Sequence, residues 1–218
     1  MDIQLVFDLP SRKSLERGDF FISKSNEAAV DLIEDWQNWP LKKHFLSGPK
    51  SSGKSHLAHV WAKLSGAKIV SAEQLKDPEI LASGNLVIEN IDRIVGRVAL
   101  ETILFHTHNL IFENRHFLLM TGLSSPATWQ FSLPDLGSRV GGTRLASVKE
   151  PDDFLFAALL VKLFADRQLF PNSDVVQYLI TRLERSYEAA EDFVQKADQA
   201  SLVQHKSITR TFAGKILN

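Results

Sequence analysis

The chain has 218 residues, of which 44% are hydrophobic and 23% charged, enough apolar content to bury a core and too much for a disordered polymer. Its 25 basic and 26 acidic residues leave a net charge of −1 and balance 17 against 17 over the first 150 residues and 8 against 9 after them, so neither part has the basic excess of a protein held on nucleic acid by bulk electrostatics. The absence of cysteine excludes disulfide frameworks, thiolate zinc sites and thiol catalysis; with no apolar run near the ~20 residues of a membrane span and no signal-peptide core, a cytoplasmic protein without membrane association is expected.

Residues 1–21 show no helical period. From Asn26 to Trp36 the apolar residues Ala29, Val30, Leu32 and Ile33 fall at helical spacing, and Pro40 closes the segment. His44-Phe45-Leu46 is a short apolar run ending at Ser47-Gly48, which predicts a buried strand entering a turn. Leu57, Val60, Trp61 and Leu64 then repeat as on a helix, with Gly66 placed as its C-cap. Strands are predicted at Lys68–Val70, Leu86–Ile88, Phe117–Met120 and Leu145–Val148, and a helix over Ala99–Phe112. Short apolar strands separated by helices indicate βαβ units and a parallel sheet covered on both faces. After Pro151 the pattern is helical only: Phe154–Leu169, Ser173–Leu183, Tyr187–Leu202 and Ile208–Leu217, with Asn172 or Ser173 and Ser207 as N-caps.

One motif carries specific chemistry. Gly48-Pro49-Lys50-Ser51-Ser52-Gly53-Lys54-Ser55 fits G-x-x-x-x-G-K-[ST] and lies between a predicted strand and a predicted helix. Glycines let the backbone curl so that successive N–H groups face one phosphate, and the helix N-terminus adds its partial positive charge. Gly48, Pro49, Ser51, Ser52, Gly53, Lys54, Ser55 and His56 are therefore the nucleotide-binding candidates, with Lys54 on the β/γ-phosphates and the Ser55 hydroxyl on Mg²⁺. A phosphate-loop enzyme also needs an acid at the end of a neighbouring strand, and Leu86-Val87-Ile88-Glu89-Asn90 has that form. Glu89 takes the acidic position. Asn90 stands where many such ATPases have a second carboxylate; an amide cannot accept a proton, so unaided hydrolysis is expected to be slow. Asp92, three residues after Glu89, reads as a solvated loop acid, with help in holding magnesium as the alternative. The seven histidines lack carboxylate or cysteine companions at ligand spacing and indicate no metal site.

On these residues the chain resembles the AAA+ ATPases of the DnaA type and, within them, the Hda group of replication regulators. The resemblance runs from Gln4-Leu5-Val6-Phe7-Asp8-Leu9-Pro10 to Leu136-Gly137-Ser138-Arg139 and the C-terminal helices. It implies an AAA+ five-stranded parallel sheet in the order 5-1-4-3-2 with helices on both faces, followed by a small all-helical lid. The domains it implies are a clamp-binding tail at 1–21, a nucleotide-binding α/β domain at 22–150 and the lid at 151–218. It implies ADP or ATP with Mg²⁺, the ion being held through Ser55, Glu89 and the nucleotide. It also makes Arg139 an arginine finger acting on a neighbour's nucleotide, since a guanidinium is permanently charged and forks onto phosphate oxygens. Gln4, Leu5, Phe7 and Leu9 resemble the peptide that docks on the sliding clamp, the β subunit of DNA polymerase III, through apolar anchors and a rim glutamine.

Two positions depart from the family. Its sensor 1 place, after Thr121-Gly122, holds Leu123 followed by Ser124; its sensor 2 arginine is replaced by Glu188, with Arg182 and Arg185 nearby as substitutes. The parts that bind nucleotide in cis are thus present, those for fast cis hydrolysis are altered, and the finger that acts in trans is kept. The resemblance then implies a regulator that binds the clamp and stimulates ATP hydrolysis by DnaA, with weak hydrolysis of its own. A self-sufficient ATPase of helicase-loader type and a clamp adaptor with a vestigial nucleotide site are the alternatives. On the resemblance the chain stops where the helix-turn-helix domain of DnaA would begin, so no sequence-specific DNA binding is expected; homo-oligomerisation stays open.

Overall fold

The structure is a computed structural model and describes residues 21–204 and 206–217. The clamp-binding candidates Gln4, Leu5, Phe7 and Leu9 lie outside the described residues. Two compact units are formed: one from Asn26–Pro49 and Gly53–Lys149, the other from the described residues up to Ser25, Lys50–Ser52 and the chain from Glu150.

The first unit runs α1 (Glu27–Glu34), β1 (Lys43–Ser47), α2 (Lys54–Ser65), β2 (Lys68–Ser71), α3 (Pro78–Leu81), β3 (Leu86–Glu89), α4 (Val98–Glu113), β4 (Leu118–Gly122), α5 (Pro134–Gly141) and β5 (Leu145–Ser147). The five strands form one sheet in the order β2-β3-β4-β1-β5 with every pairing parallel, the expected 5-1-4-3-2 order. Alternation along the strands explains the continuous apolar runs: both faces of the sheet are covered. Phe45, Leu86, Ile88, Leu118 and Met120 point into a core shared with Leu104 and Ile111 of α4 and Leu136 and Val140 of α5. The intervening Leu46, Val87 and Leu119 are also fully buried, on the side where α1 and α2 pack. There Trp61 of α2 stacks on Trp39 at 5.0 Å.

Several local predictions shift. The first helix stops at Glu34, and short 3₁₀ turns containing left-handed Leu41 and Lys42 lead into β1. Gly66 does cap α2, in the left-handed conformation with its N–H on Ala62 O. Helix α3, capped by the Asp77 carboxylate, and helix α5 were not expected from periodicity.

The second unit holds α6 (Asp153–Asp166), α7 (Ser173–Ile180), α8 (Tyr187–Gln204) and α9 (Arg210–Leu217). Among the described residues no strand follows Ser147. Phe156, Leu160, Phe164, Val175, Leu179, Phe193 and Phe212 form its core. Asp152 caps α6 through Leu155 N at 2.8 Å, and Ser186 accepts from Ala189 N at the start of α8. Helix α9 begins two residues later than predicted, and Thr209 rather than Ser207 receives a first-turn N–H, from Phe212. Asn172 precedes α7 but its side chain makes no capping bond.

Candidate nucleotide-binding site

The phosphate-loop motif occupies the turn from β1 into α2. Ser51 (φ 61°) and Gly53 (φ 86°) are left-handed, which bends the backbone back on itself before the helix starts; at Gly53 this conformation favours glycine. Gly48 N donates to Gly122 O at 3.2 Å, anchoring the loop to the end of β4. Lys54 opens α2 and is only 7% exposed. Its ammonium donates to Gly48 O at 2.8 Å and Pro49 O at 2.6 Å. Burial lowers its pKa, opposed by the negative charges of Asp92 and then Glu89. Those carboxylates are thus within electrostatic reach of the Lys54 ammonium: Lys54 opens α2 after the loop that follows β1, and Glu89 ends β3. Ser55 is exposed and His56 half-buried on the first turn of α2.

The acid side of the site is built at the ends of β3 and β4. Glu89 Oε1 is buried and has no hydrogen-bond partner among the described residues. A buried carboxylate oxygen without a protein donor is the donor type that a hard cation takes, so the residues fit Mg²⁺. Glu89 and Ser55 would hold it with nucleotide oxygens, and the ion would supply neutralisation of phosphate charge. Asn90 is left-handed at φ 59°, a conformation that asparagine tolerates better than most residues; its N–H donates to Thr121 Oγ1 at 3.2 Å. Asp92 is not a freely solvated loop acid: it is half-buried and accepts from Leu123 N at 3.1 Å. At the end of β4 Leu123 is 51% exposed, and Ser124 accepts a hydrogen bond from Trp129 Nε1. Trp129 also explains Gly122: a Cβ there would lie 2.5 Å from its ring and 2.9 Å from Phe45.

In the helical unit, which includes Lys50–Ser52, Glu188 pairs with Lys50 at 2.6 Å and Glu191 accepts from the Ser51 hydroxyl. The Glu188 carboxylate raises the Lys50 pKa, first as hydrogen-bond acceptor and then as charge. The two candidate substitutes for sensor 2 have other partners. Arg185 pairs with Asp153 at 2.7 Å, and the Arg182 guanidinium lies over the Tyr178 ring.

Arg139 is on the last turn of α5, exposed, its guanidinium 5.2 Å from the Phe105 ring centre. Phe105 lies three residues before His108 on α4, and His108 Nε2 is 3.2 Å from Lys43 Nζ; burial and then the Arg139 charge lower the Lys43 pKa, while burial, then Lys43, then Arg139 lower that of His108. Lys43 is the first residue of β1, whereas the phosphate loop follows the last. Four strand steps, about 13 Å, thus separate the two ends, and Arg139 lies by the end away from its own loop. Sequence reasoning reached Arg139 only by resemblance and missed Phe105, Lys43 and His108 around it. A 3.6-residue stripe on α4 would have pointed to two of these.

No family model matches the chain. A Haemophilus influenzae protein described as uncharacterised is 25% identical over 191 residues, with 80% of each chain covered. Among solved structures, domain III of the Thermotoga maritima replication initiation protein DnaA superposes with a TM-score of 0.77 at 14% identity, covering 95% of this chain and 97% of that one. DnaA bound to AMPPCP and single-stranded DNA gives 0.70 at 18% identity, over 89% of this chain and 65% of that chain; this chain therefore spans just under two thirds of that initiator. The fold is that of an AAA+ domain of the DnaA kind, a five-stranded parallel sheet with helices around it and a helical C-terminal part. Among the described residues no helix is long and apolar enough to cross a membrane.

Proposed function

We propose that the protein is an AAA+ nucleotide-binding regulator of chromosomal replication initiation, of the Hda type, that holds ADP or ATP with Mg²⁺, binds the sliding clamp and stimulates ATP hydrolysis by DnaA. Nucleotide binding rests on the curled loop with Lys54 within electrostatic reach of Glu89 and Asp92; the related DnaA fold is known with AMPPCP bound. The observation that carries the regulatory part is the placement of Arg139. It rests on Phe105 of α4, three residues before the His108 that meets Lys43 at the start of β1, the end opposite the phosphate loop, and among the described residues no carboxylate pairs with it. A guanidinium so placed cannot serve its own phosphates and is available to another molecule's. Asn90 and Leu123, in place of a second acid and a polar sensor, agree with weak turnover in cis.

The test is hydrolysis of DnaA-bound ATP with this protein, clamp and DNA added in all combinations. At low concentration of this protein, stimulation is expected only with all three present, since the clamp acts by raising local concentration. Arg139→Ala should remove most of it and leave nucleotide affinity and melting temperature unchanged, since fingers of small GTPases supply about 10³–10⁵ in rate. Arg139→Lys should rescue little, because an ammonium lacks the fork. Full stimulation by Arg139→Ala, together with robust hydrolysis by the parent alone, would replace this reading with a self-sufficient ATPase.

A further inference from the structure

Helix α4 carries Glu101, Phe105, His108 and Phe112 at spacings of four, three and four residues, a single stripe along one face. The stripe grips α5 at both ends. Glu101 is completely buried. One carboxylate oxygen accepts from Gly96 N at 2.6 Å and the other from Leu133 N at 2.9 Å. Leu133 is the residue before α5, so this buried side chain pins the start of that helix to α4. Six residues on, the Arg139 guanidinium rests on Phe105, one turn along the same stripe. Beyond it stands a second cation: Lys43 Nζ is 3.2 Å from His108 Nε2 and 4.8 Å from the Phe112 ring centre. The surroundings of Arg139 are thus aromatic and cationic. A carboxylate in this place would compete with any incoming anion; a ring face fixes the guanidinium and leaves its N–H edge free to fork onto phosphate.

We infer that Phe105 is a positioning residue for Arg139, its ring holding the guanidinium, on a helix locked by Glu101, in readiness for a phosphate of a partner's nucleotide. The inference rests on the trans-acting role proposed above. The alternative is that Phe105 only packs beneath the arginine stem. Phe105→Leu keeps apolar volume and loses the π face; Phe105→Tyr keeps both. With the full chain, clamp and DNA, the maximal rate of DnaA-ATP hydrolysis and the concentration giving half of it are measured. Phe105→Leu should lower the maximal rate about two- to fivefold, the range of an exposed cation–π contact, at unchanged half-saturation. Phe105→Tyr should match the parent, and Phe105→Leu should cost nothing further in an Arg139→Ala background. Phe105→Met gives the same comparison if the leucine variant folds poorly. A parent-like maximal rate for Phe105→Leu, or equal losses in the leucine and tyrosine variants, would overturn the positioning role and leave the finger standing. Full stimulation by Arg139→Ala would instead remove the finger reading and this inference with it.

Discussion

Lys54 is an ammonium with little water around it, held by two loop carbonyls and within the electrostatic reach of two carboxylates. Burial works against its charge, and the acids only partly offset that, so a phosphate arriving beside it would gain a poorly hydrated cation as partner. Charge-assisted hydrogen bonds in such places contribute about 1.5–3 kcal/mol, so Lys54→Ala should weaken ADP binding roughly 10- to 100-fold in titration calorimetry. Equal affinity in variant and parent would reject the phosphate-loop assignment. The motif residues were legible because their spacing is imposed by the anion. The roles of Asp92 and Ser124 were not, because their bonds to Leu123 N and Trp129 Nε1 cross between segments about thirty and five residues apart.

At the scale of elements, β1 and α4 each bury a histidine that must stay neutral. Burial, then the nearby Arg144 charge, lowers His44 to about 4. Burial, then the charges of Lys43 and Arg139, lowers His108 to about 3. Because the Lys43 ammonium donates to His108 Nε2, a proton on that nitrogen would break the bond. An imidazole whose folded pKa lies below its unfolded value contributes stability that is complete above pH ~6.5 and lost as pH falls through the folded value, about 1.4 kcal/mol per pH unit for each group at most. The melting temperature should therefore drop between pH 6.5 and pH 4. His108→Gln, whose carbonyl can accept from Lys43, should flatten that slope; an unchanged slope would show that His108 does not drive it. Elements differ in how readable they are for similar physical reasons. Strands β1, β3 and β4 are buried on both faces and read as unbroken apolar runs. Helix α5 includes Gly137 and Gly141, poor helix formers, and is held by burial of Leu136 and Val140 and by Glu101, so local propensity did not reveal it. Left-handed Gln168 follows directly on the C-cap of α6 and marks where chain geometry, not side-chain period, ended that helical run early.

For the whole molecule, the proposed function separates two tasks along the chain: capture of the clamp by the first residues and action on a partner by Arg139. Clamp capture acts by raising the effective concentration of the finger near DNA-bound partners, and this gain requires no new contact at the finger itself. The two tasks should then fail independently. Gln4→Ala combined with Leu5→Ala should abolish retention on immobilised clamp and the clamp-dependent part of DnaA-ATP hydrolysis, while nucleotide affinity and melting temperature stay at parental values. Raising the concentration of this double variant should restore part of the stimulation, because only local concentration has been lost. Arg139→Ala should show the reverse: normal retention on the clamp and no recovery at any concentration. Pull-down on loaded clamp and a hydrolysis titration, run on the same preparations, separate these outcomes. Retention of the double variant on the clamp would remove Gln4, Leu5, Phe7 and Leu9 as the contact; recovery of Arg139→Ala at high concentration would make Arg139 an affinity determinant instead of a group that acts on the reacting phosphate.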